Sequence, residues 1–270
     1  MGEPTRKRTF NLRKALFVLP TAVTLSSVFC GFYAIKIAAS TDAPDDLYRA
    51  ALLIIFAMLF DMLDGRVARM TRTQSAFGLQ IDSLADVISF GVAPALVLFK
   101  WSLKHHPTAG LFAAFAFVAA GAIRLARFNV LSMDTSGKPQ KPGKYIVGLP
   151  IPGAAGILIS IVVANHAAGA NLGEVVWAWP VLALTLLLAF FMVSTIPFRS
   201  FKDIKLNGWT ALLMLFVVIS SAIVWSRFKP AFVLVWLLGV YIMIGVLEAL
   251  VGISKRLRDR AKQQPLPPAG

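Results

Sequence analysis

Residues 60–91, FDMLDGRVARMTRTQSAFGLQIDSLADVISFG, hold Asp61, Asp64, Asp82 and Asp86 in a chain with only 13 acidic residues and 57% hydrophobic composition. Asp61 and Asp64 are spaced i,i+3, and Asp82 and Asp86 are spaced i,i+4. On helices each pair shares a face. Gly65 and Arg69 extend the stripe from Asp61, and Gly78 lies one turn before Asp82. The polar run 70–77 reads as a short turn, which makes the two helices antiparallel neighbours. Their carboxylates then converge near that turn.

The surroundings make the acids expensive. The chain has 270 residues, a net charge of +14 and a mean hydropathy of +0.73. That combination excludes an ordinary soluble domain and points to an all-α, polytopic membrane helix bundle with charges in its loops and tails. A span needs roughly 20 mostly apolar residues. Eight candidates stand near residues 15–39, 48–69, 79–102, 109–130, 150–167, 175–196, 208–226 and 230–252. The first is too long for a cleaved leader and reads as a retained span. Pro150 and Pro152 suit the first turn of the fifth. The membrane domain covers 15–253, between a basic arm at 1–14 and a basic tail at 254–270 expected to be disordered. Taken together, the arm, the 70–78 turn, SGKPQKPGK (136–144), FRSFKDIK (198–205) and SKRLRDRAK (254–262) hold most of the basic residues. The opposite loops, 40–46, 100–107, 166–174 and 226–230, are poorer in them. Both termini and the acidic turn are therefore expected on the cytoplasmic side of the inner membrane.

An ionised Asp at a membrane helix centre costs roughly 2.5–3.5 kcal/mol, and four together repel one another. Arg66, Arg69 and Arg72 offer one compensation and divalent cations another. Converging carboxylates suit hard, oxygen-seeking Mg²⁺ or Mn²⁺, and a two-metal site clamps phosphoryl oxygens during in-line displacement. An ion-coupled transporter is the rival from a different class, but transport sites favour the midplane and broken helices.

The pattern Asp61-x2-Asp64-Gly65-x2-Ala68-Arg69-x8-Gly78-x3-Asp82-x3-Asp86 resembles the signature of the CDP-alcohol phosphatidyltransferase family at every specified position. The resemblance implies transfer of a phosphatidyl group from a CDP-linked lipid to an alcohol, with two divalent ions on Asp61, Asp64, Asp82 and Asp86. It implies Asp86 as the base for the acceptor hydroxyl. It places Gly65, Ala68, Arg69, Thr73 and Gly78 along the CDP pocket and suggests a homodimer. Nothing in it suggests a nucleic-acid partner.

Three further stretches, LPTAVTLSSVFCGFYAI (19–35), IRLARFNV (123–130) and GLPIPGAAG (148–156), resemble the integral-membrane phosphatidylserine synthase branch. That branch implies CDP-diacylglycerol and L-serine as substrates; glycerol phosphate, inositol phosphate and choline are the other acceptors. Thr21 and Ser27 stand where that branch often carries Asn. With Thr24 they form a polar stripe expected to hydrogen-bond the nucleotide. Serine brings a carboxylate, so Arg124, Arg127, Asn129, Lys144 and Tyr145 are expected to form the acceptor site. His105, His106 and His166 fall on the other side from the acids, Cys30 reads as a small buried hydrophobe, and Trp177, Trp179, Trp209 and Trp225 as interfacial anchors. Glu248 reads as a snorkelling or helix-contact residue.

Overall fold

A computed structural model describes residues 12–71, 75–132 and 145–199, with scattered positions between 216 and 243. It is a helix bundle. Helix α1 (Leu12–Ser40) turns into α2 (Pro44–Thr71); α3 (Ala76–Asp86) runs through a π-helical segment, Val87–Val92, into α4 (Ala93–Trp101). Then come α5 (Pro107–Leu131), α6 (Ile151–Ala168) and α7 (Val175–Val193). The first six expected spans thus match helices. Five are long and apolar enough to cross a membrane: Leu19–Ser40, Ala76–Trp101, Pro107–Leu131, Ile151–Ala168 and Val175–Val193. Helix α2, at 28 residues, is as long as any of them but carries Asp45, Asp46, Asp61 and Asp64 with several arginines.

The count of eight is not reached among the described residues. The last two expected spans fall where only scattered positions are described, and those are helical. Trp236 Nε1 of one stretch donates to Ser220 Oγ of the other at 3.0 Å. Trp209, Trp225, Glu248, residues 1–11 of the arm and the tail at 254–270 lie outside the described residues.

One element went unanticipated. Strands β1 (Tyr145–Val147) and β2 (Pro197–Arg199) pair antiparallel, Tyr145 opposite Arg199. Three residues per strand are too few for period-two alternation to show in sequence. The ribbon ties the loop before α6 to the end of α7. Gly148 follows at φ +81°, with its N–H on Ile196 O and its Cα against the Met192 carbonyl. A side chain there would be both strained and blocked.

The seam between α1 and α2 is built mostly from small residues. Ala34 and Ala38 of α1 and Ala50, Ala51, Ile54 and Ala57 of α2 are buried, which lets the hairpin close tightly, as membrane helices do without a hydrophobic drive between them. Phe90 and Phe117 are buried in the bundle, whereas Phe29, Phe32, Phe112, Phe115 and Phe190 are exposed on its outside. That belt would be a liability in water and is ordinary against lipid.

At one end of the bundle, loops 40–46, 100–107 and 166–174 meet. Lys100 and Lys104 pair with Asp42 at 2.8 and 3.2 Å, hydrogen bonds that hold its carboxyl below the usual range. His166 Nε2 lies 3.7 Å from Asp45, and His105 Nε2 is 3.1 Å from Gly173 O. The histidines therefore gather away from the acids, as expected. The described parts of the basic loops lie at the other end.

Candidate active site

The π segment begins where Asp86 ends α3, and Pro94 explains it. Proline cannot donate to the carbonyl four residues back and collides with it. Here the backbone widens one turn earlier, and the Ala93 N–H reaches Ile88 O, five residues back. Such bulges re-aim the side chains around them.

Helix α3 starts at Ser75, extended at φ −139°, ψ 156°, whose hydroxyl accepts from Gly78 N at 3.0 Å. A Cβ at Gly78 would lie 3.2 Å from that hydroxyl, so the glycine makes room for the cap. Asp82 then falls one turn up, facing α2.

One carboxylate oxygen from each of Asp61, Asp64 and Asp82 lies within 4.8 Å of the others. Asp86 is buried beside them, at 8% exposure, close to Asp61 and Asp82 and facing Arg124 from α5. Asp64, at 4% exposure, takes the Thr24 hydroxyl and the Gly65 backbone as neighbours. Yet Asp64 Oδ2 and Asp86 Oδ1 are buried with no hydrogen-bond partner. Buried carboxylate oxygens without donors are costly. Acceptor-only oxygens packed this closely fit a divalent cation, which removes both the repulsion and the missing bonds. It is the only such cluster of metal-ligating side chains among the described residues.

Above the acids, Arg69 folds back along its helix, as side chains tilted toward the N-terminus do. Its guanidinium lies 3.6 Å from where a Gly65 Cβ would be. Gly65 is thus the seat of Arg69, and Ala68 is half-buried beside it. Thr73 lies outside the described residues.

Helix α1 supplies the third wall, and its polar stripe divides. Thr21 is half-buried. Thr24 bonds Pro20 O at 3.0 Å and neighbours Asp64. Ser27 is committed elsewhere: Ser89 Oγ donates to Ser27 O at 3.1 Å, and the two hydroxyls are 3.4 Å apart. Ser89 lies in the π segment, three residues past Asp86. Gly31, one turn below Ser27, presses on it so closely that a Cβ would be 2.7 Å from Ser89 Cα. Sequence reasoning missed Gly31 and Ser89; the i,i+4 spacing of Ser27 and Gly31 was the available sign. This contact fixes how the π turn presents Asp86. Gly31→Ala is expected to destabilise the protein by about 1–3 kcal/mol through overpacking. Turnover should fall by up to about 100-fold, the cost of roughly 1 Å of misplacement. Melting in detergent and a turnover assay read both.

The expected acceptor residues separate into two groups. Arg124 is buried beside Asp86. Arg127 turns away, its guanidinium donating to Val193 O and Ser194 O at 3.1 and 3.2 Å, where it closes the carboxyl end of α7. Asn129 braces α3, with Nδ2 on Ser83 Oγ at 2.9 Å and Gln80 Oε1 at 3.1 Å. It holds the helix carrying Asp82 and Asp86. Lys144 lies outside the described residues, and only the backbone of Tyr145 is described.

Residues 17–191 match the model of the family described as CDP-alcohol phosphatidyltransferase. The chain is 35% identical over 250 residues, 92% of its length and 97% of the relative's, to a Helicobacter pylori protein named CDP-diacylglycerol–serine O-phosphatidyltransferase. Proteins of the same name are similar in Mycobacterium bovis, at 33% over 88% of this chain and 78% of the relative, and in Methanocaldococcus jannaschii, at 37% over 56% and 62%.

Proposed function

This chain belongs to the CDP-alcohol phosphatidyltransferase family, and from that premise we propose that it transfers the phosphatidyl group of CDP-diacylglycerol to the hydroxyl of L-serine, giving phosphatidylserine and CMP. The convergence of Asp61, Asp64 and Asp82, with Asp86 beside them, carries the proposal.

Asp61, Asp64, Asp82 and Asp86 would hold two divalent cations, Mg²⁺ or Mn²⁺, which when bound would supply the positive charge that the diphosphate and its leaving oxygen need. The remaining work falls to the chain's own side chains. Arg69, seated on Gly65 at the open side of the cluster, donates to phosphate. Gly65, Ala68 and Gly78 leave space for the nucleotide beside the backbone, with Thr73, Thr21 and Thr24 completing the pocket. Asp86 takes the proton of the serine hydroxyl, which is a poor nucleophile until a base is in reach. The serine oxygen bonds to the phosphorus bearing diacylglycerol, the bridging P–O bond of the diphosphate breaks, and CMP leaves with its electron pair.

Arg124 is the acceptor residue best supported, since a cation beside the base draws the serine carboxylate to it and places the hydroxyl near Asp86. The same arginine offsets the charge of Asp86. Arg127 and Asn129 act from further away, by keeping α7 and α3 in place. Arg124→Ala should therefore raise the serine KM strongly. Arg127→Ala should leave that KM nearly unchanged while lowering stability by about 1.5 kcal/mol, the scale of a charge-assisted hydrogen bond. Steady-state kinetics with serine varied, beside thermal melting of both variants, separate the two roles.

The eight-span arrangement with a membrane domain at 15–253, cytoplasmic termini and an active site at the cytoplasmic face of the inner membrane belong to the same proposal. So does a homodimer in the lipid bilayer. Diacylglycerol chains enter sideways between helices, and serine arrives from water. Purified protein given CDP-diacylglycerol, Mg²⁺ or Mn²⁺ and each candidate alcohol should form phosphatidylserine ahead of any other lipid. A larger yield with glycerol phosphate, inositol phosphate or choline would move the assignment to that acceptor. Ion flux without CMP release would revive the transporter.

A further inference from the structure

At the end of the bundle away from the aspartates, a groove of about 550 Å³ opens between α1 and α2. Its walls are two stripes with the same spacing. Tyr33, Lys36, Ile37 and Ser40 line it from α1; Arg49, Leu52, Leu53 and Phe56 line it from α2. Both sets run i, i+3, i+4, i+7, so each is one helix face.

Lys36 lies four residues before the end of α1 and Arg49 five residues after the start of α2. In an antiparallel hairpin both sit at similar depth, about 6–8 Å below the connecting turn. Below them the walls are apolar as far as Phe56, about 18 Å from the start of α2, which is roughly one leaflet of a 30 Å hydrocarbon core. Phe56 and Tyr33 are 54% and 44% exposed. Arg49 Nη1 pairs with Asp46 at 3.1 Å, whereas Lys36 has no ion pair among the described residues and stands 5.9 Å from the Tyr33 ring centroid. Two cations and one carboxylate leave a net charge of +1 at the mouth.

The geometry points to a binding site for one anionic glycerophospholipid of the leaflet opposite the aspartates. Its phosphodiester sits at Lys36 and Arg49, and one acyl chain lies along Leu52, Leu53 and Phe56. The single negative charge of a phosphatidylglycerol-type lipid matches the charge of the mouth. A water-soluble anion would leave the apolar walls without a partner. The site is distinct from the catalytic pocket, because Arg49 and Asp61 are twelve residues apart on α2, about 18 Å. A lipid held there fastens the far end of the hairpin whose near end carries Asp61 and Asp64.

The test is native mass spectrometry of the full-length protein in detergent with added phosphatidylglycerol. The wild type should retain one lipid through dilution, and the Lys36→Gln/Arg49→Gln pair should bind it on the order of tenfold less tightly or worse. Lys104→Gln, at the same end but outside the groove, should behave as wild type. Equal retention by the double variant overturns the site. Independently, Phe56→benzoylphenylalanine should photo-crosslink to phosphatidylglycerol; a crosslink to a second copy of the chain would assign the groove to a protein interface instead. Neither readout needs turnover, so a failure here is distinguishable from a failure of the proposed reaction.

Discussion

Asp86→Asn should lower CMP release by at least about 100-fold, within the 10²–10⁴ range that a positioned general base contributes. The substitution keeps the shape of the side chain and removes its ability to take a proton. Asp86 is nearly buried, one of its oxygens has no hydrogen-bond partner, and Arg124 faces it. An amide there can still be packed, so the protein should fold and retain CDP-diacylglycerol. The informative split is a collapsed kcat with a nearly unchanged KM for the lipid. Activity within tenfold of wild type would transfer the base to another group, with Asp61 and Asp82, the carboxylates beside it, the next to test.

The bundle and the acid cluster were legible because each leaves a mark in one dimension. Apolar runs near 20 residues announce spans, and acids at i,i+3 and i,i+4 within them announce a shared polar face. What stayed hidden depends on pairs far apart in the chain. Asn129 resembled an acceptor contact because it follows Arg124 and Arg127, yet it is spent on Ser83, 46 residues away. Arg127 resembled Arg124, but three residues turn a helix by nearly a full turn, and that residual rotation aims one at Asp86 and the other at Ser194. Ser27 looked like a nucleotide contact until the π turn brought Ser89 to it. Even that turn had a sign in sequence: Pro94, eight residues after Asp86, removes a donor the helix would otherwise use.

Asp64→Asn should separate stability from function in the opposite direction to most buried substitutions. Oxygens of Asp61, Asp64 and Asp82 lie within 4.8 Å of one another, and Asp64 Oδ2 is buried without a partner. Like charges at that spacing repel unless a cation lies among them. An asparagine removes one like charge and offers two N–H donors to the neighbouring carboxylates. The metal-free variant should therefore melt above the metal-free wild type. The wild type should gain in Tm with added Mn²⁺, because a ligand that binds only the folded state stabilises it, and the variant should gain much less. Turnover should drop at least about 100-fold, since removing one electrostatic contact to a transferring group costs 10²–10³. A variant that melts lower without metal would mean Asp64 is held by bonds that offset the repulsion; a full Mn²⁺-dependent gain in the variant would remove Asp64 from the ligand set. Both signs follow from the same placement: α2 and α3 hold these carboxylates close together, and the proposed cation and diphosphate are what that closeness would serve.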